Sequence, residues 1–345
     1  MLNLILRRLS FLPVVFFALS LMIFSLQMML TPIQRLSAYI SNNAELKGGR
    51  EQIASLIEKH GLDDPFLVQY WGWLKNIFNG NLGWSESAGA PVSEALLTMF
   101  PATAELVILA FIPGFLVAIW LGTKAGVNLN KPTDHTIRVF TILGWSFPTF
   151  VFGLIMMLIF YGYLDWLPPG RLSQWAQSEV ESNNFIQYTG AHLLDSIINW
   201  RWWIFLDALR HMIAPIITLM YVNLASMTRV MRTSMLETMR QDYIRTARAK
   251  GLSEKIVQNT HARRNALLPV TTVAGMELAY MLGGVVITET IFDYHGLGQF
   301  AAYAASKLDF PAVLGFALYF ALILVTINLI VDILYPFIDP RVKVK

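Results

Sequence analysis

The side chains that could perform catalysis are few in this sequence, and they are scattered. The six histidines form no His-x-x-x-His pair, no serine sits in a Gly-x-Ser-x-Gly elbow, and cysteine is absent. No Gly-Lys pair occurs, so the chain has no P-loop to bind the phosphates of a nucleotide. We therefore expect no catalytic residues, no metal ligands and no bound cofactor, and any use of ATP would depend on other proteins.

Glu277 is the one acidic residue that falls about midway along a long apolar run. A carboxylate is costly in hydrocarbon and usually faces the interior of a helix bundle or an aqueous path. Two interpretations stay open, namely a residue that lines a translocation path and a residue with a buried structural role. Glu105 and Asp332 fall at the ends of apolar runs, where we expect hydrogen bonds to neighbouring helices.

The composition indicates a membrane protein. Of 345 residues, 55% are hydrophobic and only 14% are charged, against roughly 25% charged residues in an average soluble domain. Six apolar runs are long enough to cross about 30 Å of hydrocarbon: residues 9–30, 106–123, 139–164, 212–228, 266–288 and 310–331. The Trp-rich stretch 197–209 contains charges and predicts a helix at the membrane interface. We expect an all-α polytopic membrane protein with a single domain, residues 1–345, and six transmembrane helices.

The distribution of positive charge predicts the orientation of these helices. Of the 26 Lys and Arg residues, 17 lie on the same side as Met1 and nine lie on the other side. Both termini are therefore expected in the cytoplasm, with the chain in the cell inner membrane. Residues 31–105 form an extracytoplasmic insertion, and helices are predicted at 50–60 and 66–79, each followed by a glycine. The net charge of +3 gives little support to a nucleic-acid partner.

Residues 229–265 form the most basic cytoplasmic segment, with nine basic and three acidic side chains. Ser234 and Glu237 have the spacing of a capping box, which predicts that a helix begins there. Apolar residues follow at helical spacing with arginines at their rim, and such a face could enter a groove on a partner protein. The apolar residues are Leu236, Met239, Tyr243 and Ala247, and the arginines are Arg240, Arg245 and Arg248. The alternative is a basic loop that only touches anionic lipid.

The end of this helix is predicted from a glycine. Gly251 stands where a left-handed C-cap is expected, and Ser253 can cap a second helix. We therefore predict two short helices, hinged at Gly251 and Leu252, on the inner membrane face.

The segment resembles the EAA loop of ABC importer permeases, most closely that of the dipeptide, oligopeptide and nickel branch. The likeness lies in residues 242–253 and 261–269. Further stretches resemble the first permease subunit of that branch, in the same order along the chain. They are residues 6–8, 79–85, 101–106, 289–292, 296–298, 309–311 and 339–341.

Four departures from the family pattern affect local loops. Arg245 replaces the first acidic residue of the general EAA pattern, Asn81 stands in place of the usual Asp, and His295 in place of the usual Pro. The distance from Gly251 to the Leu-Pro pair that ends at Pro269 is also longer than in the general pattern.

The resemblance implies one permease half of an ATP-driven importer. Its expected partners are a second homologous permease subunit, two ABC ATPase subunits that bind ATP and Mg, an extracytoplasmic solute-binding protein and a peptide substrate, all at the lipid bilayer. The residues expected to couple to an ATPase are Leu236, Met239, Arg240, Tyr243, Arg245, Ala247, Arg248, Ala249, Gly251 and Leu252. Oligosaccharides or metal complexes stay open as substrates, and an ion-coupled secondary transporter is the alternative of another class.

Overall fold

The computed structural model describes residues 2–39 and 49–338, which are predominantly helical. The first part contains α1 (Leu2–Gln27), α2 (Pro32–Leu36), α3 (Gly49–Lys59), α4 (Phe66–Phe78), β1 (Trp84–Ser85) and β2 (Ala90–Pro91). The central part contains α5 (Val92–Val127), α6 (Pro132–Ser146), α7 (Thr149–Met156) with a π-helical continuation (Met157–Tyr163), α8 (Gln174–Val180), α9 (His192–Ile198) and α10 (Trp202–Met239). The last part contains α11 (Asp242–Ala249), α12 (Glu254–Ile256), a π-helical segment (Val257–Ala262), α13 (Arg263–Leu282), α14 (Val286–Ile291), α15 (Leu297–Ser306) and α16 (Phe310–Ile338).

Helices α5 and α10 pack side by side at the centre of the bundle. Every fourth residue of α5 from Ala110 to Gly126 is Ala or Gly, and all of these are buried. A Cβ added at Gly122 would lie 2.5 Å from the Met231 Cβ, and one added at Gly126 would lie 2.6 Å from the Met235 Cβ. The two helices therefore run in the same direction, and their backbones approach closely because α5 carries nothing larger than a methyl group along this line.

The bundle has two chemically different ends. The segments 128–131 and 240–262 lie at one end, which we call the basic end. The connections 79–91, 164–201 and 283–309 lie at the other end, which we call the loop end. Because α5 and α10 both run from the loop end to the basic end, they join the two ends directly.

A short hairpin at the loop end is fixed to the start of α16. Strands β1 and β2 pair antiparallel, with Trp84 opposite Pro91. One oxygen of the buried Asp309 carboxylate accepts hydrogen bonds from Ser85 Oγ (2.7 Å) and the Ser87 N–H (2.8 Å). The other oxygen accepts from the Ala312 N–H (3.2 Å), so Asp309 also caps α16.

The length and apolarity of the helices support part of the predicted six-span topology. Among the described residues, α5, α10 and Phe310–Val331 within α16 are each long and apolar enough to cross a membrane. Helices α6 and α7 give a fourth span if the pair counts as one, although they are bent by 98° at the break. Within the predicted first span, Pro13–Gln27 is a shorter apolar helix, and the predicted fifth span is interrupted after Leu282.

Three boundaries differ from those expected. Helix α5 begins at Val92, so the predicted insertion 31–105 ends inside a helix rather than at its start. The stretch 197–209, which was expected to be a separate interfacial helix, is not a separate helix, because its larger part is the first turns of α10. Ser234 is buried within α10, which continues to Met239, so it is not an N-cap. The tertiary contacts of α10 keep it helical well beyond its uncharged section, and they override the local capping signal.

The packing of α5 on α10 leads to a stability prediction. Gly122→Ala should lower the free energy of unfolding by about 1–3 kcal/mol, because the new methyl group meets Met231 and the Thr228 carbonyl oxygen. Gly72→Ala is the matched control, since a Cβ at this α4 position meets no atom within 4 Å. That change should leave stability unchanged or raised. Thermal unfolding in detergent provides the measurement, and equal melting temperatures for the two variants would contradict the packing.

Candidate functional site

The predicted turn at the basic end is a Schellman motif. Gly251 has a φ of +79°, and its N–H donates to the Arg248 carbonyl (2.9 Å) while the Leu252 N–H donates to the Ala247 carbonyl (3.3 Å). A Cβ at Gly251 would have no heavy atom within 4 Å. Glycine is therefore favoured here because it adopts the left-handed backbone conformation, and not because a side chain would clash with a neighbour. The predicted left-handed cap is confirmed. Ser253 occupies the N-cap position of α12, although its side chain makes no capping hydrogen bond.

The apolar face of α11 packs against its own chain. Ile244 and Ala247 are buried, and Tyr243 and Met239 pack partly against the same cluster. Leu236 is half-exposed. The rest of the cluster comes from α10, the π-helical segment and α13, and its buried members are Met231, Met235, Val257, Ala262, Ala266 and Val270. The expectation that Ala247 enters a groove on a partner is therefore corrected: helical spacing identifies an apolar face but not which protein covers it.

The opposite face of α11 and the following turn are exposed. The exposed members of the predicted coupling set are Arg240, Arg245, Arg248, Ala249, Gly251 and Leu252. Arg248 makes two hydrogen bonds to Glu254 across the turn, at 2.7 and 3.2 Å, and this guanidinium lowers the pKa of the Glu254 carboxyl. Arg245 makes a longer contact of 3.3 Å with Asp242. The basic end thus presents cationic side chains to its surroundings, together with the exposed apolar side chains of Leu129, Leu252 and Ile256.

An ion pair that the sequence analysis did not identify connects α10 to α6. Arg232 donates from Nε and an Nη atom to the two oxygens of Asp134, at 2.6 and 2.8 Å. The Asp134 side chain is completely buried, and its second oxygen also accepts from the Asn130 N–H at 3.1 Å. A two-point contact of this kind fixes both position and orientation. The sequence gives no local signal for it, because the partners are nearly a hundred positions apart.

Glu277 lines an open cleft of the helical bundle. One of its oxygens accepts a hydrogen bond from Ser226 of α10 (2.7 Å), and the other is buried with no partner among the described residues. The cleft has a volume of about 420 Å³ and is also lined by Thr149, Asn223 and Tyr280. Thr149 is the first residue of α7, directly after the bend from α6. The structure therefore places Glu277 on an open space between α7, α10 and α13.

Three of the family-like stretches meet in one buried polar network at the loop end. Glu289 accepts from Thr103 Oγ1 (2.7 Å) and from the Gln299 N–H (2.8 Å), while Thr103 accepts from the Leu297 N–H (2.8 Å). A Cβ at Gly296 would lie 2.5 Å from the Glu289 carboxylate. The glycine is thus required by close approach, and the network ties α5 to α14 and α15.

Glu105 forms a second contact of this type, as expected for a residue at the end of an apolar run. Its Oε1 accepts from the Leu193 N–H of α9 at 2.7 Å, and Arg171 lies 3.9 Å from its other oxygen. Within the part of the chain that the structure describes, no three His, Asp or Glu side chains converge in a way that could hold a metal ion.

Comparisons with known protein families assign nearly the whole chain. Residues 114–344 match the family described as "Binding-protein-dependent transport system inner membrane component". Residues 1–107 match the corresponding N-terminal family, "Binding-prot-dependent transport system membrane comp, N-term".

Curated relatives are similar over most or all of their length. The chain is 40% identical to the "Probable D,D-dipeptide transport system permease protein DdpB" of Escherichia coli (strain K12) over 84% of each chain. It is 37% identical to the "Di/tripeptide transport system permease protein DppB" of Pseudomonas aeruginosa (strain UCBPP-PA14) over 99% of each chain, and 36% identical to the "Dipeptide transport system permease protein DppB" of Escherichia coli (strain K12) over 100% of each. The resemblance found in the EAA-like loop is therefore confirmed, and the chain belongs to the family of binding-protein-dependent transport system inner membrane components.

Proposed function

We propose that this permease subunit forms half of the translocation path of an ATP-driven importer for dipeptides or short oligopeptides. The observation that carries the substrate class is the full-length similarity to permeases named for di- and tripeptides. A second permease subunit would complete the path, two ABC ATPases would supply the energy, and a solute-binding protein would deliver the peptide. The experiment is reconstitution of the chain with its co-purifying partners, followed by uptake of a labelled dipeptide and of an oligosaccharide with and without ATP.

In this proposal the membrane contains six spans with both termini in the cytoplasm. The spans are α1, α5, the bent pair of α6 and α7, α10, α13 and α16, so the basic end is cytoplasmic and the loop end is extracytoplasmic. The excess of Lys and Arg at the basic end supports this orientation. The C-terminal stretch 339–341 lies outside the described residues.

Coupling to ATP hydrolysis would pass through α11. Because the buried face of α11 packs against α10 and α13, a displacement of α11 by the ATPase would be transmitted to those two helices. The Arg232–Asp134 ion pair joins the same end of α10 to α6. Helices α7, α10 and α13 border the Glu277 cleft, so a motion that starts at the basic end would reach the cleft through packed elements.

The docking face can be tested with two charge substitutions. Arg245→Glu reverses a side chain that is 76% exposed, and we expect it to release the ATPase subunits without a change in the melting temperature. Ala247→Arg places a charge in a site that is 6% exposed, and we expect it to lower the stability of the permease itself by about 3 kcal/mol or more. Size-exclusion chromatography and thermal unfolding separate the two effects. An Arg245→Glu complex that stays intact would remove this face from the proposal.

The turn at Gly251 should be needed for transport but not for membrane insertion. Gly251→Val forces a β-branched residue into a left-handed conformation, with a penalty of at least roughly 1–2 kcal/mol, and we expect uptake to fall about tenfold or more. Gly251→Asn is the matched control, because Asn tolerates this conformation and no atom obstructs its Cβ. Equal uptake by the two variants would show that the shape of the turn does not matter for coupling.

Glu277 is proposed to line the path. The position of Glu277 on the wall of the cleft, with the Ser226 hydroxyl as its single hydrogen-bond partner among the described residues, supports this role. We expect Glu277→Gln to change the ratio of charged to neutral peptide uptake while the melting temperature stays close to that of the wild type. Ser226→Ala, which removes the one hydrogen bond but keeps the carboxylate, should leave the ratio unchanged. An unaltered ratio with a lowered melting temperature for Glu277→Gln would assign it a structural role.

A further inference from the structure

A second cavity lies at the loop end, on the outer side of the bundle. Its volume is about 360 Å³, and its walls come from the end of α1, from α2 and α4, from residues 81–84 and from the first turns of α16. It shares no lining residue with the Glu277 cleft.

Arg35 of α2 lines this cavity as a buried cation without a counter-ion in the part of the chain that the structure describes. The residue is only 7% exposed, yet no carboxylate of the described residues lies within ion-pair distance of it. One Nη atom donates to Gln69 Oε1 and contacts Met28 Sδ at 3.0 Å, while Nε has no hydrogen-bond partner among the described residues. A buried guanidinium with an unused donor is costly, and an anion in the cavity would remove that cost.

The other polar groups of the cavity suit an anion as well. Its lining includes no Asp or Glu residue among those described. Gln27 lines the cavity, is 6% exposed and carries an amide that can donate through its NH₂; its side-chain oxygen has no hydrogen-bond partner among the described residues. Asn76 offers a second side-chain amide on the wall. The N–H groups of two amides and one guanidinium can donate hydrogen bonds to phosphate oxygens.

The remaining wall is apolar and faces outward. Leu30, Leu314 and Leu318 line the cavity together with Trp73 and Trp84, a type of residue that collects at the level of lipid headgroups. Beyond it, α1 and α16 continue with exposed apolar side chains, and only 6% of the apolar window of α16 is buried. An occupant that fits both parts has an anionic head and an apolar tail.

We propose that this cavity binds the phosphate group of a membrane phospholipid. The phosphate would accept from Arg35 and from the Gln27 and Asn76 amides, and the acyl chains would lie along α1 and α16. Such a lipid would join the α2 and α4 segment to the start of α16, which also holds the β-hairpin through Asp309. The proposal is independent of which solute the transporter carries.

The test compares two lipids with the same acyl chains, one with a phosphate-containing headgroup and one without it. The full-length chain, with the subunits that co-purify, is delipidated in a non-ionic detergent and titrated with dioleoylphosphatidylglycerol or with dioleoylglycerol. Melting temperature and native mass spectrometry report binding. We expect the phospholipid alone to raise the melting temperature, and Arg35→Gln to weaken its apparent affinity about tenfold or more.

Controls make each outcome decisive. Arg201→Gln removes a half-exposed cation of the same end that pairs with Glu179, and it should keep the wild-type response. If Arg35→Gln does not fold, Leu318→Trp fills the apolar part of the cavity, leaves Arg35 in place and should abolish the response. An unchanged phospholipid response in either cavity variant would overturn the site. An equal shift with inorganic phosphate alone would overturn the lipid as its source.

Discussion

The close approach of α5 and α10 is the contact on which the other interactions of the bundle depend. In a bilayer, apolar side chains gain little by leaving lipid, so helices associate through tight packing and buried polar contacts. Gly122 and Gly126 let α5 reach the backbone of α10 itself, where the Thr228 and Arg232 carbonyl oxygens lie. Arg232 then extends from that contact to Asp134 and sets the position of α6. A shift of α10 against α5 would therefore also move α6, α11 and α13.

Buried carboxylates connect elements at both ends of the bundle, and Asp134 does so at the basic end through its ion pair with Arg232. At the loop end, Glu105 and Asp309 each accept a hydrogen bond from a backbone N–H group of a segment distant in sequence. Glu289 accepts from the Gln299 N–H nearby and from the hydroxyl of the distant Thr103. These bonds satisfy backbone groups that would otherwise be unpaired away from water, and they make the loops part of the helical bundle. Glu277 has a different environment, because one hydroxyl is its single partner among the described residues.

Local signals in the sequence predicted local structure well. The apolar runs, the helix α4 that ends before Gly80 and the left-handed cap at Gly251 follow from backbone preferences of a few adjacent residues. The predictions failed where a distant contact decides the outcome. Ser234 looks like a cap but lies inside α10, and Ala247 looks like a docking residue but is covered by its own chain. In the candidate site, Glu277 was found by its unusual setting, whereas the Asp134–Arg232 pair has no signature along the chain.

The π-helical segment Val257–Ala262 bears on the length of the basic loop. A π-helical turn holds one residue more than an α-helical turn, because each N–H bonds one carbonyl further back. A π-helical turn can therefore take up an additional residue without a separate loop. Part of the long spacing between Gly251 and Pro269 is accommodated in this way, within one continuous helical segment. The connection from α12 into α13 thus stays helical throughout in spite of the longer spacing.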